Sequence, residues 1–183
     1  MAMTQLQKLE LNKRVDKILH APSNLPARGQ QLEMAFVLDL GGDREYLDNT
    51  IRDAVTALKA HDKIFQNVRS NVVYWAHDKI TTKVTPMSFI QMGKTFVEVD
   101  VNMEDKDVDN DTDLDALCGY LKLYHARSKC ILIVTDRNED QLYDQKSDKL
   151  IENLNPFLKY RLLVITPEKM ITGSELLLKL IQG

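Results

Sequence analysis

The chain has 183 residues, 44% of them hydrophobic and 28% charged, with a formal net charge of -3. That length holds one domain with a sizeable core, and the slight acidity gives no electrostatic case for nucleic acid, which needs a basic domain or face. Two cysteines without metal spacing, a charged N-terminus without an apolar signal stretch, and no apolar run of bilayer length lead to the expectation of a cytoplasmic protein with no membrane partner.

Residues 4–19 have the pattern of an amphipathic helix. Thr4 is placed to cap it, and Leu11, Val15, Ile18 and Leu19 share one face. Residues 21–30 (APSNLPARGQ) contain two prolines and a glycine, so they read as a linker. Residues 1–30 are therefore an N-terminal helix and linker, and residues 31–183 the α/β domain. Residues 34–39 (MAFVLD) form a buried strand that runs into an acidic, Gly-rich turn, LGGD. The next helix is expected over residues 44–60, with Leu47, Ile51, Ala54, Val55 and Leu58 on its buried stripe.

A strand is expected within residues 68–77 around NVVYWA. Residues 79–84 (KITTKV) alternate and end near Pro86, which predicts a short antiparallel edge strand joined by a tight turn at Asp78. Residues 88–93 have room for one helical turn at most. Residues 95–101 (TFVEVDV) alternate as a half-exposed strand, and an acidic run fills residues 104–115.

Residues 114–124 are helical, with Leu114, Leu117, Cys118 and Leu121 on one face. Residues 129–136 (KCILIVTD) are nearly all apolar, the mark of a central parallel strand. A helix over residues 147–160 is disturbed by Pro156. A strand at 161–166 (RLLVIT) precedes a last helix over residues 175–181, with Ser174 as its expected cap. The alternation predicts a doubly wound, mostly parallel sheet with helices on both faces and a short antiparallel edge strand.

Two central strands end in an aspartate, at Asp39 and Asp136. If the strands are neighbours, both carboxylates reach the C-terminal edge of the sheet, where open α/β sheets bind ligands. Close carboxylates repel unless a proton, a cation or a basic side chain lies between them. Asp43 returns over the same edge, and Thr112 opens the helix before the second strand. Such an oxygen set suits a hard divalent ion, Mg²⁺ or Ca²⁺. Each residue also has a plainer role. Asp43 can be a helix N-cap, Thr112 with Asp115 can form a capping box, and Asp39 and Asp136 can close Asx turns.

The order of elements, Asp39, the TDLDAL segment at residues 112–117, IVTD at 133–136 and the hairpin YWAHDKITTKVTP at 74–86 together resemble the von Willebrand factor A domain. The resemblance covers roughly residue 32 to the C-terminus. It implies a doubly wound fold and a metal-ion-dependent adhesion site, written Asp-x-Ser-x-Ser, then Thr, then Asp. Asp39, Thr112 and Asp136 match the first Asp, the Thr and the last Asp. The two serines are replaced by Gly41 and Asp43, and the residue after the last Asp, often Gly in the family, is Arg137. The resemblance thus gives a degenerate metal site of Asp39, Asp43, Thr112 and Asp136. An ion facing three carboxylates would be more than neutralised, held tightly, and poor at recruiting a partner's acid. The alternative is no ion, with Arg44 or Arg137 supplying the positive charge.

The segment DLGG also resembles the phosphate turn of actin-like sugar kinases, but that turn leads into a hairpin and here a helix follows. The acidic run fails the EF-hand spacing in both registers. The four histidines are scattered, and Tyr74 and Trp75 read as core and rim. The function implied by the resemblance is non-enzymatic: an interaction module docking other proteins, among them an AAA+ ATPase of the MoxR type, at the strand-end edge. The alternatives are a metal-dependent enzyme of phosphoryl transfer or hydrolysis using Asp39, Asp43 and Asp136, and a structural subunit whose site is vestigial.

Overall fold

The computed structural model describes residues 4–20, 32–39, 43–58, 68–76, 79–82, 114–124, 128, 130–157 and 161–182. The expected linker at 21–30, the turn at 88–93, the strand at 95–101, the acidic run up to residue 113 and Thr112 within it lie outside these residues.

Among the described residues six strands form one sheet: β1 (Leu32–Asp39), β2 (Val68–Ala76), β3 (Lys79–Thr82), β4 (Cys130–Val134), β5 (Leu162–Ile165) and β6 (Met170–Thr172). Their order is β3-β2-β1-β4-β5-β6. The four inner strands are parallel, and β3 and β6 are antiparallel edges. The hairpin of β2 and β3 is the one expected from the sequence. The second antiparallel edge, β6, is not.

Among the described residues six helices accompany the sheet: α1 (Gln5–His20), α2 (Arg44–Leu58), α3 (Leu114–Tyr124), α4 (Glu139–Tyr143), α5 (Asp148–Leu154) and α6 (Gly173–Gln182). Strand side chains alternate between faces. One set, Ala35, Val37, Val73, Trp75, Ile131, Ile133, Leu162 and Val164, packs with buried residues of α3, α4, α5 and α6. The other set, Met34, Phe36, Leu38, Cys130 and Leu132, is equally buried. It faces the side on which α1 and α2 pack against each other and against β4. Helices thus cover both faces.

Local chemistry sets the helix starts. Thr4 and Gln7 form a capping box on α1: the Thr4 hydroxyl accepts from the Gln7 amide at 3.1 Å, and the Thr4 amide donates to the Gln7 side chain at 2.9 Å. Leu11 and Val15 hold α1 down and are fully buried, each contributing about 1.5–3 kcal/mol. Ser147 caps α5, accepting from Leu150 at 3.0 Å. That helix gives way at Asn155–Phe157 to a 3-10 turn containing Pro156, so the interruption expected at the proline is observed.

The last helix corrects the sequence-based cap. Thr172, not Ser174, accepts from the Glu175 amide at 3.1 Å, and Glu175 reaches back to the Thr172 amide at 3.3 Å. Gly173 begins the helix. A Cβ there would stand 2.6 Å from the Phe157 carbonyl oxygen, so only glycine lets β6 turn into α6 this close to the 3-10 turn. Among the described residues no helix is long and apolar enough to cross a membrane. Neither cysteine is in a disulfide and both are buried, and burial pushes the Cys130 thiol up to about 12.

Candidate functional site

The chain reverses its winding direction at β1. From there α2 leads outward to β2, while β4 lies on the other side of β1. The C-terminal ends of β1 and β4 therefore mark the position at which doubly wound sheets accept ligands. Asp39 ends β1, and Thr135, Asp136 and Arg137 follow β4.

Strand register decides what each aspartate meets. Leu38 pairs with Val134, so the next residues abreast are Asp39 and Thr135. Continuing the alternation, both fall on the face of α3, and Asp136, one residue further, falls on the face of α2. The contacts agree. The Thr135 hydroxyl donates to Asp39 Oδ2 at 2.6 Å. Asp136 Oδ2 instead accepts the backbone amide of Asp43 at 2.8 Å. The two strands are neighbours, as the paired aspartates required, but their acids serve different partners.

Asp39 has a fully buried side chain, and a buried carboxylate needs a compensating charge or several donors. Arg137 supplies the charge, with Nε 3.6 Å from Asp39 Oδ2 and a side chain only 10% exposed. The Arg137 amide donates to the Thr135 hydroxyl at 3.1 Å. One hydroxyl therefore holds both members of the ion pair in place.

Asp43 is exposed and acts as the N-cap of α2. Its Oδ1 accepts from the Glu45 amide at 3.1 Å, and its carbonyl accepts from Leu47 at 3.1 Å. With Asp136 on the Asp43 amide, two of this chain's own carboxylates take the positive end of α2. A helix N-terminus occupied in this way has little left for an outside phosphate. Nearby, burial pushes the Tyr46 phenol up, Thr50 partly offsets this, and the charge of Asp136 adds a smaller upward push.

Among the described residues, each acid of the expected metal set is engaged by a donor of this chain. Among the described residues no three His, Cys, Asp or Glu side chains group as a metal site. Asp39 meets the Arg137 guanidinium and the Thr135 hydroxyl, Asp136 the Asp43 amide, and Asp43 the Glu45 amide. Thr112 is outside the described residues. Thr135 is the site residue that sequence reasoning passed over. Its signal was a lone hydroxyl at the end of an otherwise apolar strand, just before an aspartate. No protein-family model matches the chain, and none of the curated proteins compared with it is significantly similar.

A second polar cluster lies beyond the start of α4. Glu139 receives the Lys169 ammonium at 2.6 Å and the Tyr143 hydroxyl at 2.5 Å. The Lys169 hydrogen bond, then that of Tyr143, holds the Glu139 carboxyl below its ordinary value. Burial and Glu139 together raise the Tyr143 phenol. The Lys179 ammonium stands 5.9 Å from the Tyr143 ring centroid. With Ile171, Glu175, Leu178 and Gln182 these residues line an open cavity of about 250 Å³.

Proposed function

We propose that the chain is a non-enzymatic protein-interaction module of the von Willebrand factor A type, docking a partner protein at the C-terminal edge of β1 and β4. The observation that carries this proposal is the ion pair of Asp39 and Arg137 at the switch point. The edge is charge-balanced and rigid before any ligand arrives, and preorganised surfaces lose little freedom on binding. Asp43 and Glu45 stay exposed beside it and offer a partner its first charged contacts. Each acid at the edge has an oxygen committed to a donor of this chain. That suits holding a shape better than moving a substrate's proton.

The resemblance points to an AAA+ ATPase of the MoxR type as the partner. The test is a binding titration of the purified chain against such an ATPase encoded in the same genome. Wild type is expected to bind. Asp43→Asn, which keeps a good N-cap but removes an exposed charge, is expected to weaken binding at least tenfold. Equal binding by both chains, or binding by neither, would overturn the proposal. A second reading, a structural subunit with a vestigial site, draws on the same ion pair. It predicts that Asp43→Asn leaves every association of the chain unchanged.

A further inference from the structure

We infer that the guanidinium of Arg137 takes the place that the resemblance gives to a divalent cation, which makes this edge independent of metal. Three observations combine. The Asp39 side chain is fully buried and Arg137 is nine-tenths buried beside it, so the charge that Asp39 requires comes from within the chain. The Thr135 hydroxyl donates to the carboxylate and accepts from the Arg137 amide, which fixes the arginine at that position. The one-residue offset between the ends of β1 and β4 turns Asp136 toward α2, where the Asp43 amide takes its Oδ2. A cation at Asp39 would have to approach a fixed positive charge, and would draw Asp136 and Asp43 away from the helix N-terminus they satisfy.

The residue after the strand-end aspartate decides the matter. A glycine there, as the family often has, brings no charge and leaves room for an ion; Arg137 brings its own. Removing the guanidinium while keeping Asp39 should therefore leave a buried carboxylate that a small divalent ion can serve. The inference concerns the charge balance of the edge rather than its partner, and melting needs no partner. Its failure and the failure of the docking proposal are thus separate results.

The experiment is thermal melting of the whole chain in chelator, in Mg²⁺ and in Ca²⁺. Wild type and Arg137→Lys, which keeps a cation there, are expected to melt at the same temperature in all three. Arg137→Ala is expected to melt lower in chelator and to recover about 5–10 °C once the ion stands at a hundred times its Kd. The double variant Arg137→Ala with Asp39→Asn, which no longer carries the buried charge, should ignore both ions. A rise in wild type or in Arg137→Lys would overturn the inference. So would an Arg137→Ala chain that is blind to both ions, including one that stays unfolded in their presence, or a double variant that still responds.

Discussion

Two ion pairs stand near the C-terminal ends of the strands, and distance ranks them in the wrong order. Lys169 and Glu139 are 2.6 Å apart, with side chains 53% and 28% exposed. Arg137 and Asp39 are 3.6 Å apart, with side chains 10% and 0% exposed. Water competes for both members of the first pair, and salt screens them. Around the second pair little water remains, so the attraction between the two charges is less screened. The longer pair is the one whose loss matters more. Its two charges are expensive to bury, and removing either partner strands the other. The same contrast separates the two regions in role: the first dresses a surface cavity, and the second fixes the edge at which the sheet changes winding direction.

The largest effect expected from this contrast is on stability when Arg137 is removed. Arg137→Ala in the absence of divalent ions should cost about 3–5 kcal/mol in urea unfolding, because a buried carboxylate loses its guanidinium partner. A loss below 1 kcal/mol would mean that Asp39 is not held by this pair and would erase the comparison. Next in size is Thr135→Val, a near-isosteric change at a residue with no exposure. It removes a donor to Asp39 and an acceptor for the Arg137 amide together. About 1–3 kcal/mol is expected in the same measurement.

How much of this was legible depended on what the sequence repeats. The helix at 114–124 was readable because Leu114, Leu117, Cys118 and Leu121 return at helical spacing, and all four are buried. The central β4 was readable because CILIV has no polar residue to place on a wet face. The edge β6 has three residues, all buried, too few for any period to show. The five-residue α4 also lacks a period and was not expected; its only local cue is Asn138 followed by Gln141, the pair that forms its capping box. The cap of α6 was misplaced by two residues because Ser174 is as good a capping residue as Thr172, and only the pairing with Glu175 separates them. At the site, Asp39, Asp43 and Asp136 were all visible, and Arg137 was offered as a source of charge. The register was not visible. Two strands that end in aspartate do not announce that one is a residue longer, and that residue assigns Thr135 to Asp39 and Asp136 to α2. Side-chain chemistry is written in the sequence, whereas the pairing of strand ends is a property of the assembled sheet.

The smallest effect belongs to the shorter pair, and pH exposes it. Its carboxyl lies below the ordinary value of 4.5, chiefly because of Lys169 and then Tyr143. A carboxyl with a lowered folded-state pKa stabilises the fold above that ordinary value, and the contribution disappears as pH falls through the lowered one. Glu139→Gln should therefore lower Tm at pH 7, by no more than about 2 °C because both groups face solvent. The gap between the two chains should close below pH 4.5 and also in high salt. The Asp39 pair, shielded from the same salt, should keep its effect at neutral pH whatever the ionic strength. If Glu139→Gln instead costs as much as Arg137→Ala, and salt does not reduce it, the cavity wall at α4 is drier than its exposure implies. Short distance, rather than burial, would then rank the ion pairs of this sheet edge.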